Sequence, residues 1–293
     1  MVNPVIFGEV LFDHFPDDSL VLGGAPFNVA WHLQAFGVGP LFISRVGDDE
    51  PGRRIRYSMQ DWGMDTTRLQ IDSMHSTGTV EIEIYNGEPS YEIVIDQAYD
   101  FIDENQIAKI KGGALLYEGS LIMRNLSSRE ALIALRKKLN LPVFVDVNLR
   151  DPWWDRYTVS LQLEAARWAK LNSHELHELS PVDGEVEAQA KALQEACGLS
   201  LLIVTQGEEG AFARNAQGKI FRVEPKLNIS VVDVVGAGDA FSAVMLLGLL
   251  SGWDWKISLK RAQSFASAVV GIRGATPTNK EFYSRYIERW SKT

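Results

Sequence analysis

Residues 229–250 read ISVVDVVGAGDAFSAVMLLGLL: an apolar run, three small residues at Gly236, Ala237 and Gly238, then Asp239 and a second apolar run from Ala240 to Leu250. The first run, 229–235, has the length of a strand and the second that of a helix. A helix that is apolar on nearly every side has to be buried. Its amino terminus leaves backbone N–H groups unpaired and carries the positive end of the helix dipole, which together suit an anion. Glycines let such an anion approach the backbone closely. Asp239 stands at that point, although its charge would weaken anion binding. Its placement makes chemical sense if it takes a proton from a group attacking a phosphate. An acid stabilising a helix start, beside glycines that merely turn the chain, accounts for the same residues.

Outward from this stretch, short apolar runs alternate with helical patterns. Strands are expected over residues 5–10, 41–46, 114–117, 143–147, 169–171 and 201–205, with a short hairpin over 211–223. Helices are expected over 29–36, ended by Gly37, and over 128–139, 159–168 and 187–196. Another opens after Asp48, Asp49 and Glu50, with Pro51 in its first turn. This alternation calls for an α/β fold with a mostly parallel central sheet and helices on both faces.

Residues 79–95 depart from that pattern. TVEIEIY and SYEIVI alternate apolar with polar residues around Asn86-Gly87, which signals a hairpin. A two-residue turn sets Val80 opposite Ile93, Ile82 opposite Tyr91 and Glu81 opposite Glu92, making one face apolar and the other charged. Two strands alone are marginally stable in water. The apolar face therefore needs a cover: residues of a binding site, further strands such as 18–22, or the hairpin of a second copy. The reading is a single α/β domain over residues 1–293, with a small β lid formed by about 13–22 and 77–96 that also joins a homodimer.

Composition narrows the function. A chain of 293 residues that is 46% hydrophobic has ample material for a large core. A formal net charge of −9 without a basic run argues against nucleic acid or an anionic membrane as a partner, and leaves local positive sites for small anions. The single cysteine, Cys197, has no disulfide partner and fits a reducing, cytoplasmic setting. Residues 2–10, broken by Gly8 and Glu9, are too short for a secretory leader. No apolar run reaches the roughly 18 residues of a membrane helix. His174 and His177, beside Glu175 and Glu178, lack metal-ligand spacing and are expected on a helix surface.

Four further segments carry residues suited to chemistry. Gly23-Gly24-Ala25-Pro26-Phe27-Asn28 opens the helix at 29; the glycines let backbone lie against a ligand, and Asn28 offers a donor and an acceptor to a vicinal diol. Asp13 follows the first strand, where open parallel sheets gather ligands. VFVDVNLRDPWW sets Asp146, Asn148 and Arg150 at a strand end; Arg150 reaches either a phosphate or acidic group, or Asp151 and Asp155. Asn172-Ser173-His174-Glu175 follows a strand, where Asn172 serves locally as a helix cap. Thr205-Gln206-Gly207-Glu208-Glu209-Gly210 follows another, and its glycines alone mean a hairpin. No G-x-x-x-x-G-K-[ST] run occurs and no G-x-G-x-x-G follows the first strand, which argues against P-loop and dinucleotide sites.

Taken in order, these segments resemble the signatures of the ribokinase-like (PfkB) sugar kinases. Asp233, Gly236-Ala237-Gly238-Asp239 and Phe241 are similar to the family's carboxy-terminal motif, departing from many members in Val234, where threonine is usual. GGAPFNVAWHLQAFG resembles the amino-terminal motif, in particular that of the fructokinase branch. The segments at Asp146, Asn172 and Thr205 resemble the family's D-x-N-x-R, N-x-x-E and T-x-G-x-x-G elements. The resemblance implies a ribokinase-like fold and ATP-dependent phosphorylation of a small sugar, with fructose to fructose 6-phosphate as the favoured reaction. Another sugar, a sugar acid or a nucleoside is the runner-up. A sugar-binding protein without turnover is the reading outside the class, and the intact Asp239 with its glycine turn argues against it.

The same resemblance implies residue roles. Asp239 is the base and the backbone amides of Gly236, Ala237 and Gly238 the anion hole. Asp13, Gly23, Gly24, Asn28 and Arg150 fall on the sugar, with Glu118 near where some relatives hold a sugar hydroxyl. Asn172, Glu175, Thr205, Gly207 and Gly210 fall at the nucleotide, and Asn172 with Glu175 holds Mg2+ largely through water. Asp233 and residues 271–277 border a monovalent cation such as K+.

Overall fold

The computed structural model describes residues 3–85, 88–225 and 231–291. Its strands are β1 (Val5–Phe7), β2 (Leu11–His14), β3 (Leu20–Gly23), β4 (Leu41–Gly47), β5 (Leu69–Asp72), β6 (Gly78–Tyr85), β7 (Glu88–Ile93), β8 (Leu116–Gly119), β9 (Val143–Asp146), β10 (Trp168–Asn172), β11 (Leu201–Thr205), β12 (Ala211–Asn215) and β13 (Ile220–Val223). Its helices are α1 (Ala25–Ala35), α2 (Glu50–Asp61), α3 (Leu126–Leu139), α4 (Arg156–Ala165), α5 (Ser173–Leu179), α6 (Val186–Cys197), α7 (Ala237–Ser251), α8 (Trp255–Val270) and α9 (Lys280–Ser291).

Among the described residues nine strands form one sheet in the order β13-β12-β11-β10-β9-β8-β1-β4-β5. All neighbours from β5 to β11 are parallel, and β12 and β13 close the edge antiparallel. Successive side chains of a strand point to opposite faces, so each strand feeds two cores. Ile6, Phe42, Phe144 and Ile203 meet α1, α2, α7, α8 and α9 on one face. Val5, Phe7, Ile43, Val145 and Leu202 meet α3 to α6 on the other. This is the α/β architecture the alternation calls for.

The expected strand over 5–10 is shorter than its apolar run. β1 stops at Phe7, and β2 leaves for a second sheet of order β3-β2-β6-β7, the small lid sheet. Its hairpin has the register set by the spacing: Val80↔Ile93, Glu81↔Glu92, Ile82↔Tyr91. The turn expected at Asn86-Gly87 lies outside the described residues. Val80, Ile82 and Ile93 are buried and pack with Leu11, Tyr99 and Ile122 of this same chain. Tyr91 differs from its apolar-face expectation: it sits on the edge strand and is 59% exposed. On the charged face, His14 Nδ1 lies 2.7 Å from Glu81 Oε2.

Two further differences concern the stretch that decides the fold. Val231 to Val235 form no strand; the N–H groups of Val232 and Asp233 both donate to the Val270 carbonyl rather than to a ladder. Val231, Val232 and Val234 are exposed, and residues 229–230 lie outside the described residues. Helix α7 begins at Ala237, which puts Asp239 inside its first turn. From Ala240 to Gly248 the helix is buried, packed between α1 and α8, as its composition requires. Among the described residues no helix is long and apolar enough to cross a membrane.

Candidate active site

Gly236 caps α7 in the left-handed region, φ 78°, and a Cβ there would collide with Ala275. Only glycine fits that turn without strain. The helix start it creates carries Asp239, whose Oδ2 accepts a 2.8 Å hydrogen bond from Asn28 Nδ2. Asn28 is 4% exposed, one turn into α1. Gly24 caps that helix with φ 106°, and a Cβ on it would lie 2.8 Å from the Glu9 carbonyl oxygen. A Cβ on Gly23 would lie 3.6 Å from Asp13 Oδ2. The fold thus brings Asp13, Gly23, Gly24, Asn28 and Asp239 together at the carboxyl end of the sheet.

Burial sets the electrostatics of this cleft. It pushes Asp239 up to about 6, with Asp146 adding to the rise, while the Asn28 hydrogen bond, Lys170 and Arg150 pull it back. Asp13 is likewise pushed up to about 6 by burial, against Arg150. Arg150 is exposed, yet its charge lies close enough to act on both carboxyls. Its alternative partners are otherwise engaged: Asp151 accepts from Trp154 Nε1, and Asp155 caps α4 through Thr158.

Two buried groups that sequence reasoning passed over complete the site. Lys170 sits within β10 and donates to Asp146 Oδ1 at 2.8 Å; Asp146 Oδ2 accepts from Ser242 of α7 at 2.6 Å and from Tyr117 at 3.0 Å. Burial works against the lysine's charge, but Asp146, Glu175 and Asp239 together outweigh it and raise its pKa. Lys170 Nζ lies 3.0 Å from where a Gly238 Cβ would stand, so this ion pair lies directly behind the α7 turn. A lone lysine inside an otherwise apolar strand was the available signal. Glu9 follows β1, is 2% exposed and is pushed up to about 7 by burial. Glu118, by contrast, gives its carboxylate to Arg136 and Gln162 beneath the sheet.

Asn172 and Thr205 are register partners at the carboxyl ends of β10 and β11. Asn172 and Glu175 form a reciprocal capping box: Asn172 Oδ1 accepts from Glu175 N at 2.9 Å and Glu175 Oε2 from Asn172 N at 2.8 Å. Glu175 Oε1 accepts from Leu149 N, and burial raises this carboxyl's pKa. Gly207 and Gly210 shape the turn into β12; a Cβ on Gly210 would collide with the Val223 carbonyl, while Gly207 faces open space. Asp233 ties two loops together, accepting from Val235 N at 2.9 Å and Gly274 N at 3.0 Å. His174 and His177 are exposed on α5. No group of three His, Cys, Asp or Glu among the described residues could hold a metal by itself.

The family model for pfkB family carbohydrate kinases matches residues 8–281. The fructokinase of Escherichia coli is 31% identical over 264 residues, 84% of either chain. The 5-dehydro-2-deoxygluconokinase of Bacillus licheniformis is 29% identical over 270 residues, 86% of this chain and 81% of its own. Among solved structures, a fructokinase double mutant from Vibrio cholerae O395 in fructose, ADP and potassium ion bound form matches with a TM-score of 0.83 and 25% identity, covering 97% of this chain and 98% of that one. With the signature segments in order, the α/β fold and small lid sheet in place, and the match running through almost the entire chain, the protein belongs to the pfkB family and is a carbohydrate kinase.

Proposed function

We propose that the protein phosphorylates fructose to fructose 6-phosphate with ATP. The observation that carries this reading is the Asp239 carboxylate, held by Asn28 at the amino terminus of α7. With its pKa at about 6 the carboxyl is largely ionised at pH 7 and can accept a proton. The sugar's hydroxymethyl oxygen gives its proton to Asp239 as it forms a bond to the γ-phosphorus, and the bond from that phosphorus to the bridging oxygen of ADP breaks in line. Backbone N–H groups of Gly236, Gly238 and Asp239 face the charge that develops on the transferred group, joined by that of Ala237, which also makes a long 3.4 Å bond to the Val234 carbonyl. Asp13, Gly23, Gly24, Asn28 and Arg150 hold the sugar.

The nucleotide lies toward Asn172, Glu175, Thr205, Gly207 and Gly210. Both oxygens of Glu175 already bond to backbone N–H groups but keep lone pairs, so the Asn172–Glu175 pair fits magnesium held through its waters rather than by direct ligation. Bound with the nucleotide, magnesium would neutralise charge on the phosphate oxygens. The Asp233 carboxylate, bridging Val235 and Gly274, fits a potassium ion beside these loops in the same limited sense. The chain is read as one kinase domain whose small sheet covers the sugar as a lid.

Fructose is favoured by residues 23–37 and by the fructokinase relatives; a sugar acid is the second reading, because the Bacillus licheniformis relative is named for one. A coupled assay of ADP release across ketoses, aldoses, sugar acids and nucleosides tests both. Fructose should stand among the highest kcat/KM values, and a fructose value far below the best acceptor would overturn it.

A further inference from the structure

We infer that Glu9, Tyr99 and Arg124 form a second acceptor subsite beside Asn28 and Asp239, which takes hydroxyl groups of an uncharged polyol and turns away a carboxylate. The inference rests on the sugar site proposed around Asp239. Its basis is a set of buried polar atoms that lack a hydrogen-bond partner of good geometry, Glu9 Oε2, Asn28 Oδ1, Tyr99 Oη and Arg124 Nη1, with the Tyr99 hydroxyl close enough to the Arg124 guanidinium to interact with it. Glu9 is 2%, Asn28 4% and Tyr99 0% exposed, and the Arg124 side chain is 4% exposed. Buried polar groups are nearly always paired, so several left open in one neighbourhood point to a ligand.

Their neighbourhood is defined by close packing. The Arg124 guanidinium lies 5.0 Å from the centre of the Tyr99 ring. That ring fills the space beside Gly78, where a Cβ would lie 2.6 Å from Tyr99 Cε1 and 2.9 Å from the Val10 carbonyl oxygen. On its other side the same strand places the Glu9 carbonyl against Gly24. Glu9 and Val10 therefore run between Tyr99 and the Gly24–Asn28 turn. The Glu9 carboxyl feels both Asp239 and Arg124, and Tyr99 feels Glu9 and Arg124.

The unused valences describe the ligand. Arg124 Nη1 only donates, Asn28 Oδ1 only accepts, and the Tyr99 hydroxyl does both. Glu9, pushed up to about 7 by burial, also does either near neutral pH. Hydroxyl groups, each a donor and an acceptor, satisfy such a mixed set; a carboxylate, which only accepts, does not. Charge points the same way. Arg124 is already neutralised by Asp100, through Nε to Oδ1 at 2.7 Å and Nη2 to Oδ2 at 2.6 Å. Lys170 is spent on Asp146. An anionic acceptor would face the carboxyls of Glu9, Asp13 and Asp239, opposed by Arg150 and by Arg124 and Lys170, of which the last two are already held in ion pairs.

Tyr99→Phe removes the hydroxyl and keeps the ring, and Glu9→Leu removes the carboxyl at similar volume. Arg124 braces Asp100 and the Val94 carbonyl, so its variants would report on folding instead. The full-length protein is assayed with the acceptor of highest kcat/KM and with gluconate as the acidic probe, and acceptor binding is measured by calorimetry. Tyr99→Phe and Glu9→Leu should each raise acceptor KM and Kd by about 5- to 100-fold, the worth of one hydrogen bond to a buried partner. The KM for ATP and kcat should change little, a split that a merely structural role would not give. Gluconate should be a poor acceptor. Unchanged acceptor KM and Kd in both variants, or gluconate as the best acceptor, would overturn the subsite. If fructose fails but binding of another neutral polyol responds to the variants, the fructose reading falls and the subsite stands.

Discussion

Asn28 donates its side-chain amide to Asp239 at 2.8 Å, joining the first turn of α7 to α1 across 211 residues of chain. That contact gives Asn28 a role beyond its proposed sugar contact, because its hydrogen bond lowers the pKa of a carboxyl that burial has raised. Removing it should raise the pKa of Asp239 further. Asn28→Ala is therefore expected to increase sugar KM and also to shift the acid limb of the kcat/KM profile upward from about 6. A profile whose acid limb stays in place, measured from pH 5 to 9, would separate Asn28 from the base.

Lys170 offers a test of what supports the α7 turn. Lys170→Met leaves Asp146 buried without its cation, a loss worth about 3–5 kcal/mol of stability when a buried pair is broken. Because Lys170 also lowers the Asp239 pKa, the variant's acid limb should move to higher pH. Lys170→Arg should recover part of both. Equilibrium urea unfolding gives the first quantity and the pH profile the second; wild-type values for both in Lys170→Met would mean that the pair is dispensable.

The buried carboxyls make stability depend on pH in an unusual direction. The folded pKa of Glu9, about 7, lies above its ordinary 4.5, so the fold binds a proton that the unfolded chain has already lost. The stability this group contributes is complete below pH 4.5 and is lost as pH rises through 7. Glu9→Gln, which cannot ionise, should melt above wild type at pH 8, on the order of 5 °C, and the gap should close by pH 5. Calorimetric scans at both pH values check this; a gap that is larger at pH 5 would reverse the assignment.

Dimerisation through the lid loses its main physical reason, because Val80, Ile82 and Ile93 are buried by residues of their own chain. Ile82→Asp should lower stability by about 3 kcal/mol or more, as a charge in a packed core does, and loosen the sugar site. Light scattering combined with thermal melts decides the point. An Ile82→Asp variant that dissociates a wild-type dimer without any loss of stability would show the apolar face to be an intersubunit surface instead.

The parts of the fold legible in the sequence are those governed by local periodicity. The register Val80↔Ile93 follows from a two-residue turn and a period of two, and α7 is buried because no face of it is polar. Val231 to Val235 misled for the same reason: β-branched residues fit a strand, but here their neighbours supply a single carbonyl, that of Val270, in place of a ladder. The carboxy-terminal helices α8 and α9 are held by a cluster of Phe36, Phe265, Tyr283, Tyr286 and Trp290, a non-local packing that spacing does not announce. In the site, motif residues were readable, whereas Glu9 and Lys170 act through burial and through partners far along the chain.

The central claim is that Asp239 takes the acceptor's proton. Asp239→Asn keeps the shape of the site and removes the base, so the decisive measurement is single-turnover phosphoryl transfer by this variant, alongside calorimetric binding of the best acceptor. The rate should fall by about 10²- to 10⁴-fold while sugar Kd stays within a few fold. Transfer at close to the wild-type rate would remove Asp239 from the reaction and contradict the mechanism.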